Sequence, residues 1–240
     1  PARAVSLYRG SAEEELWAIA PYLVHLDVVK FEWIAADLWS GPWGILAVMV
    51  LIYGLVSKAY SHPVTRLKKY AWTSWIITGI IQGLFTFAMC YVGVNDFEIV
   101  QALRLEVILP GSLTSLMLWA NYPITQVYQH AEDRKRGDIT LSAKLGITGT
   151  FYFAASIFTL AVGGFLFYFR FMLGEKYAWF FLISILPLLV YFFYWFFLIM
   201  REPTNADHAH TMRMNLISAI CLNGFFIYLF LESTHVLQVV

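Results

Sequence analysis

The chain has 240 residues, of which 60% are hydrophobic, 18% aromatic and only 13% charged, and its formal net charge is zero. So few charged residues cannot cover a water-facing surface in the usual proportion, which excludes an ordinary water-soluble domain and indicates a membrane protein. The balanced charge gives no indication of nucleic-acid binding.

The first hydrophobic segment, residues 15–39, is the weakest candidate for a membrane-spanning helix. Its apolar part, LWAIAPYLVHL, is short, whereas about 20 apolar residues are needed to cross the hydrocarbon layer. Charged side chains follow at Asp27, Lys30, Glu32 and Asp37. Two interpretations remain open: a spanning helix with a polar face toward the protein interior, or a helix that lies at the membrane surface.

Six longer segments predict the other spanning helices. Five of them contain no Asp, Glu, Lys or Arg: residues 38–57, 70–95, 145–169, 177–200 and 214–231. The sixth, residues 107–129, becomes polar near its end at Asn121, Gln126 and Gln129, and Pro123 inside it predicts a kink. The sequence therefore predicts an all-α membrane protein with seven transmembrane helices in a single domain over residues 1–240.

The basic residues fall mainly in alternate connections between these helices. Residues 1–14, 58–69, 130–144 and 201–213 hold most of the 16 Lys and Arg, and the intervening connections hold few. By the positive-inside rule, the basic connections and the N-terminus lie in the cytoplasm and the C-terminus lies outside. We expect an integral protein of a prokaryotic cytoplasmic membrane.

The segment YQHAEDRKRGDITLSAKLG, residues 128–146, mixes acidic residues with basic ones. Membrane topology requires only the bases, so Glu132, Asp133 and Asp138 need another explanation. Carboxylates beside a membrane suit Mg²⁺, which takes one or two carboxylates together with phosphate oxygens and water, and Lys135 would bind the same phosphates. The alternative interpretation is an ordinary solvated cytoplasmic loop.

A second basic segment, KAYSHPVTRLKKY at residues 58–70, lies on the same predicted side. Arg66 and Lys68 are candidates to hold phosphate groups, although topology and contact with lipid headgroups would also explain them. Arg213, where the chain enters its last predicted helix, is open to the same two interpretations. Taken together, the polar segments predict a mouth for metal and phosphate at the cytoplasmic end of a helical bundle.

Both polar segments resemble motifs of the UbiA superfamily of intramembrane prenyltransferases. NYPITQVYQHAEDRKRGDITLSAKLG is similar to the second aspartate-rich segment of the family, in which an acidic helix end runs into a Gly-x-x-Thr-Leu turn and a Leu-Gly pair. The matching residues are Asp133, Gly137, Thr140, Leu141, Leu145 and Gly146. AYSHPVTRLKK resembles the Tyr-Ser-x-Pro and Arg-Leu-Lys segment of the family through Tyr60, Ser61, Pro63, Arg66, Leu67 and Lys68.

The resemblance implies that the chain forms the third to ninth helices of a nine-helix UbiA-type bundle. It implies transfer of a prenyl group from a polyprenyl diphosphate to a lipophilic acceptor, such as a quinone-ring precursor, through Mg²⁺-assisted ionisation. The catalytic residues that it implies are Asp133, Arg66 and Lys68, and the metal ligands are Asp133, Glu132 and Asp138. Further binding residues are expected at Tyr60, Gln126, Gln129, Lys135 and Arg213. Candidates to shield an allylic cation are Phe85, Phe87, Tyr91, Trp119 and Tyr122.

The sequence departs from the family pattern in three places. The first aspartate-rich segment of the family has no match in residues 1–43. Since the chain opens with Pro, we expect that its first two helices and that segment are missing; the rival interpretation is a natural, degenerate member. Gln129 stands where an Asp is usual, four residues before Asp133, and Asp138 stands where a basic residue is frequent.

Other classes of function remain open. A non-catalytic UbiA-like subunit that binds lipid or pigment would be consistent with a missing acidic segment. A transporter would place polar groups near the bilayer midplane, whereas here they concentrate at one predicted membrane face. A retinal protein is disfavoured, because the last predicted helix, residues 214–231, contains no Lys for a Schiff base.

Overall fold

The structure is a computed structural model that describes residues 42–95 and 98–234. Within these ranges the chain is almost entirely helical and contains no strand. The main helices are α1 (Pro42–Ser61), α2 (Ala71–Gly79), α3 (Thr86–Asn95), α4 (Leu105–Ile124), α5 (His130–Arg136), α6 (Leu141–Tyr168), α7 (Glu175–Arg201) and α8 (His208–Ser233). Short 3₁₀ turns cover Leu67–Lys69, Ile99–Leu103, Val127–Gln129 and Pro203–Asn205, and π-helical turns cover Ile80–Phe85 and Phe169–Leu173.

Five stretches of the described chain are long and apolar enough to cross a membrane. They are Gly44–Ser61, Ala71–Asn95, Leu141–Leu173, Glu175–Arg201 and His208–Ser233. The prediction of an all-α membrane protein is therefore confirmed for the described residues. The count of seven helices stays a prediction, because residues 15–39 lie outside the described residues and α4 is not one of the five stretches. Within the predicted span 107–129, the helix ends at Ile124, directly after Pro123.

An aromatic core fills the space between α6, α7 and α8. Phe151 packs edge to face on Trp195, with ring centroids 4.9 Å apart. Nearer the other end of the bundle, Phe181 packs edge to face on Phe225 at 5.1 Å, and all four side chains are fully buried. The outward surface of α7 is also apolar, as exposed Ile183 illustrates, which is what a helix in contact with lipid requires.

Two tryptophans fasten α2 to α4. The indole N–H of Trp75 donates to the carbonyl oxygen of Trp119, and the indole N–H of Trp119 donates to the carbonyl oxygen of Trp75, each at 2.9 Å. Gly79 makes room for this pair, because a Cβ there would lie 1.9 Å from Trp119 Nε1. The close approach fixes the last turns of α4, which carry residues of the candidate site.

A π-helical turn lies between α2 and α3 and packs against the middle of α4. The backbone N–H of Leu84 donates to Ser115 Oγ at 2.9 Å, which satisfies a donor in the irregular turn. Gly83 is in close contact with the same residue, since a Cβ there would lie 2.6 Å from Ser115 Cα. Both contacts hold α2 and α3 against α4 without a bulky side chain between them.

Three basic connections meet at one end of the bundle. Arg66 pairs with Asp138 at 3.0 Å, the N–H of Ile139 donates to the carbonyl oxygen of Lys69 at 3.2 Å, and Tyr128 packs edge to face on His208. The connection between α6 and α7 lies elsewhere and contains an ion pair of its own between Arg170 and Glu175. The end with the three basic connections holds the candidate site, and its placement in the cytoplasm stays a prediction.

Candidate functional site

A polar cavity of about 260 Å³ lies where the three basic connections meet. It is enclosed by the last turns of α1 and α4, by α5, by the first turns of α8, and by the connections next to these helices. The lining residues are Tyr60, Lys68, Tyr122, Thr125, Gln126, Tyr128, Gln129, Asp133, Arg136, Asp138, Thr140 and Met212. They come from segments more than 150 positions apart in sequence, so only the folded bundle creates this cavity.

The short helix α5 supplies the first carboxylate. Its acidic residues Glu132 and Asp133 lie in the first turn and its bases in the last, which suits the positive N-terminal and negative C-terminal ends of a helix dipole. The helix ends at Gly137, whose φ of +72° is the left-handed conformation that glycine adopts readily. Asp133 is the buried residue of this helix, with 9% of its surface exposed.

The second carboxylate, Asp138, follows the turn after α5. It is 5% exposed and accepts a hydrogen bond from the guanidinium of Arg66 at 3.0 Å. Arg66 itself has a φ of +35°, an unfavourable backbone conformation for a residue with a side chain. A strained backbone at a charged residue that reaches a buried carboxylate is typical of a functional site.

Three buried oxygen atoms on the cavity lining have no hydrogen-bond partner. They are Asp133 Oδ2, Asp138 Oδ1 and Gln126 Oε1. Buried acceptors of this kind cost free energy unless something binds them. Two carboxylate oxygens and one amide oxygen form a donor set that suits Mg²⁺. Among the described residues no group of three or more His, Cys, Asp or Glu converges, so any metal here also needs oxygens from a ligand or water.

The electrostatics of the cavity favour binding of a cation. Burial raises the pKa of the Asp133 carboxyl, and the nearby negative charge of Asp138 raises it further, whereas Arg136 and Lys68 partly oppose this rise. Two neighbouring negatively charged carboxylates attract a divalent cation, because the cation relieves their repulsion. Burial and the charge of Arg134 lower the pKa of His130, which begins α5 and does not line the cavity.

Three tyrosines form the aromatic part of the cavity wall. The hydroxyl groups of Tyr60 and Tyr122 hydrogen-bond to each other across α1 and α4. The hydroxyl of Tyr128 accepts a hydrogen bond from the side-chain amide of Gln129 at 2.6 Å. These bonds fix the orientation of the rings. The second bond occupies the side-chain amide nitrogen of Gln129.

The structure brings most of the predicted site residues together. Those that line the cavity are Asp133, Asp138, Lys68, Tyr60, Gln126, Gln129 and Tyr122. Arg66 does not line the cavity and instead forms an ion pair with Asp138. Glu132, Lys135 and Arg213 are not lining residues; Glu132 pairs with Arg136 on the exposed side of α5.

Sequence reasoning does not identify four of the lining residues as site residues, namely Thr125, Tyr128, Thr140 and Met212, and it includes Arg136 only among the bases near the acidic residues. Thr140 was noticed only as a motif residue, and its hydroxyl caps α6 by accepting from the N–H of Ala143. Arg136 lies three residues after Asp133, so helical spacing could have placed the two on one face. Met212 carries no chemical signal in the sequence, and only the packing of α8 brings it to the cavity.

Comparison with known proteins gives one family match. The model of the UbiA prenyltransferase family matches residues 31–219, a range that includes every residue of the cavity lining. No curated protein and no solved structure matches the chain.

Proposed function

Because the chain belongs to the UbiA prenyltransferase family, we propose that it transfers a prenyl group from a polyprenyl diphosphate to a lipophilic acceptor within the membrane. A quinone-ring precursor is the acceptor class that we favour. The proposal places the cavity at the cytoplasmic face of a prokaryotic membrane, where basic connections are retained.

The observation that carries this proposal is the set of buried, unpaired oxygens on Asp133, Asp138 and Gln126, three residues that line the same cavity as Lys68 and Arg136. Acidic oxygens alone would suit a metal, and cations alone would suit a phosphate. Their combination in one cavity suits a metal-bound diphosphate, because the carboxylate and amide oxygens would hold the metal and the cations would bind the diphosphate oxygens.

The residues present fit Mg²⁺, the ion that the family implies. Asp133 and Asp138 would hold it through their unpaired carboxylate oxygens, and Gln126 through its amide oxygen. When bound, the ion neutralises negative charge on the departing diphosphate and so favours its departure. Asp138 provides a second carboxylate in a chain where Gln129 stands in place of an acidic residue.

The cationic side chains divide into two roles in this proposal. Lys68 and Arg136 line the cavity and would bind diphosphate oxygens directly. Arg66 holds Asp138 in position by its 3.0 Å hydrogen bond, so it would act on the substrate through that carboxylate. This division changes the expectation that Arg66 contacts phosphate itself.

The tyrosine side chains would protect the reacting carbon. Breaking the bond between the prenyl carbon and oxygen leaves both electrons on the diphosphate and a positive charge on the allylic carbon. The rings of Tyr60, Tyr122 and Tyr128 line the cavity, and a cation over an aromatic face gains about 0.5–2 kcal/mol. The nucleophilic atom of the acceptor then forms the new bond and loses a proton.

Release of inorganic diphosphate tests the proposal without knowledge of the acceptor. The full-length protein in lipid nanodiscs is incubated with Mg²⁺, a series of polyprenyl diphosphates, and acceptors of four classes: quinone-ring precursors, carotenoids, chlorins and glycerol phosphates. We expect Mg²⁺-dependent release with one acceptor class. Binding of a prenyl diphosphate without release by any acceptor would instead support a non-catalytic, lipid-binding subunit, and absence of binding would refute the site.

A further inference from the structure

A chain of buried polar groups runs from α5 into α6 through residues that do not line the cavity. His130 Nε2 lies 2.8 Å from Ser142 Oγ, and Ser142 Oγ lies 3.2 Å from Thr150 Oγ1. Thr150 Oγ1 in turn donates to the carbonyl oxygen of Gly146 at 2.7 Å. Ser142 and Thr150 are fully buried, so these contacts are shielded from water.

The contact between Ser142 and Thr150 depends on a break in α6. Residues eight positions apart in a straight helix are separated by about 12 Å along its axis, too far for two hydroxyl groups to meet. Gly146 interrupts the helix with φ +72° and ψ 171°, a conformation that is essentially restricted to glycine. The break therefore brings the two hydroxyls together and gives the glycine of the Leu-Gly pair a structural purpose.

Thr150 is a hydrogen-bond donor in this chain. A carbonyl oxygen cannot donate, so Thr150 Oγ1 donates to the carbonyl oxygen of Gly146, and it also lies within donating distance of Ser142 Oγ and of the Ser142 carbonyl oxygen. A hydroxyl group and a histidine ring nitrogen can each donate or accept, so the contact between His130 and Ser142 links the two residues in either direction.

The helix α5 has few other attachments. Its buried residue is Asp133, and it contributes no apolar residue to the core. Its other side-chain hydrogen bonds stay within the helix, from Arg134 to the carbonyl oxygen of His130 and from Arg136 to Glu132. In the part of the chain that the structure describes, His130 is thus the one residue that joins an α5 side chain to another helix by a hydrogen bond.

We propose that His130, Ser142 and Thr150 are positioning residues that anchor α5 to α6 and so hold Asp133 toward the cavity. Asp133 lies one turn after His130 in α5. The expected effect on metal binding rests on the proposed function, because it requires Asp133 to hold the metal. Anchoring of α5 does not depend on that function. Groups that orient a metal-binding residue commonly change metal affinity by about 10–100-fold when they are removed.

Two pairs of variants test the anchor. Thr150→Val removes the hydroxyl at nearly constant volume, and Thr150→Ser keeps the hydroxyl. His130→Phe removes the ring nitrogens, and His130→Gln keeps a side-chain hydrogen-bonding group near the Nε2 position. Thr159→Val is the control, because Thr159 lies on the same helix, is exposed, and makes the same bond to the carbonyl four residues earlier.

Hydrogen exchange of the α5 amides is measured first, on the ligand-free protein in nanodiscs. We expect exchange to rise in Thr150→Val and His130→Phe and to remain near that of the unaltered protein in Thr150→Ser, His130→Gln and Thr159→Val. Unchanged exchange in both disrupted variants would overturn the anchor. An equal rise in Thr159→Val would also overturn it, because the effect would then be a general loosening of α6.

Binding of Mn²⁺ together with inorganic diphosphate is the second measurement. We expect the dissociation constant to rise about tenfold in Thr150→Val and His130→Phe and less than about twofold in their conservative counterparts. If the unaltered protein binds no Mn²⁺, the proposed function fails and the exchange result still decides the anchor. If it binds and all variants bind equally well, the positioning role is wrong.

Discussion

The guanidinium of Arg66 lies 3.0 Å from the carboxylate of Asp138, 72 positions later in the chain. This ion pair joins the two polar segments that the sequence places two predicted helices apart. Backbone contact reinforces it, since the N–H of Ile139 donates to the carbonyl oxygen of Lys69. The favourable pairing compensates for the unfavourable φ of +35° at Arg66.

Removing Arg66 should destabilise the protein through its partner. We expect Arg66→Met to lower the free energy of unfolding by about 1–2 kcal/mol, because it leaves a buried carboxylate without its cation; partial exposure of Arg66 reduces the effect. Adding Asp138→Asn should restore part of the loss, because no unpaired charge remains. Equilibrium unfolding in detergent micelles measures both effects, and Lys69→Met serves as the control. A double variant as unstable as the sum of its single changes would contradict the pairing.

Asp133 is the carboxylate on which the proposed activity most depends. Asp133→Asn preserves the shape of the side chain but removes its charge. We expect it to raise the activation free energy of diphosphate release by several kcal/mol, roughly what a bound metal contributes to stabilising the transition state. The control variant is Glu98→Gln, which alters an exposed carboxylate of a residue that does not line the cavity. Its loss should be much smaller. Near-full turnover by Asp133→Asn in a diphosphate-release assay would refute the assigned site.

Metal binding should depend on pH through Asp133. Burial and the charge of Asp138 raise the pKa of this carboxyl, so a proton competes with the metal at a pH above the ordinary Asp value of about 3.9. Mn²⁺ affinity should therefore fall as the pH is lowered from about 7 to about 4. The folding stability of the metal-free protein should change with pH in the opposite direction. Because the folded state binds the Asp133 proton more tightly than the unfolded state does, protonation stabilises the fold at low pH, and this stabilisation is lost as the pH rises through the raised pKa.

Asp138→Asn is the informative variant for this pH dependence. It removes the negative charge that raises the pKa of Asp133, so the midpoint of proton competition should move to lower pH. Isothermal titration at several pH values measures the midpoint. The control for net charge is Glu98→Gln, since Glu98 is exposed and distant in sequence from the residues that line the cavity. A midpoint that stays fixed in Asp138→Asn would show that the two carboxylates do not interact.

The contact of Gly79 with Trp119 should be intolerant of added volume. Gly79→Ala places a methyl group 1.9 Å from Trp119 Nε1, and we expect a loss of about 1–3 kcal/mol in the free energy of unfolding, the usual cost of overpacking. Gly163→Ala is the control, because that helical glycine has open space around its Cβ position. Thermal unfolding compares the two, and equal stability would contradict the packing of α2 on α4.

The predicted orientation can be tested by labelling single cysteines. After Cys90 and Cys221 are replaced by Ser, a cysteine at Asn95 should react with an impermeant thiol reagent added to intact cells, whereas one at Ser61 should not. Both positions are exposed at helix ends, so access depends on the side of the membrane. Labelling of Ser61→Cys from outside would place the cavity on the wrong side.

The sequence predicted the helices well where they are continuous and apolar. Each charge-free run from residue 38 onward corresponds to a described helix, because the cost of placing unpaired backbone groups in lipid leaves helices as the available structure. It predicted the interruptions less well. The predicted span 145–169 begins four residues too late, because Thr140 caps the helix at Leu141 and Gly146 then breaks it.

The sequence by itself determined the class of protein, its family, and which two segments carry the polar residues. Composition and short motifs are local properties, so they can be read without knowing what lies nearby. Only the tertiary structure decided that Arg66 contacts Asp138 rather than lining the cavity, that Glu132 faces outward, and that His130 anchors α5. Those roles depend on distances and burial set by packing of distant helices, and the same charged residue can become a ligand, an anchor or a solvated side chain according to that packing.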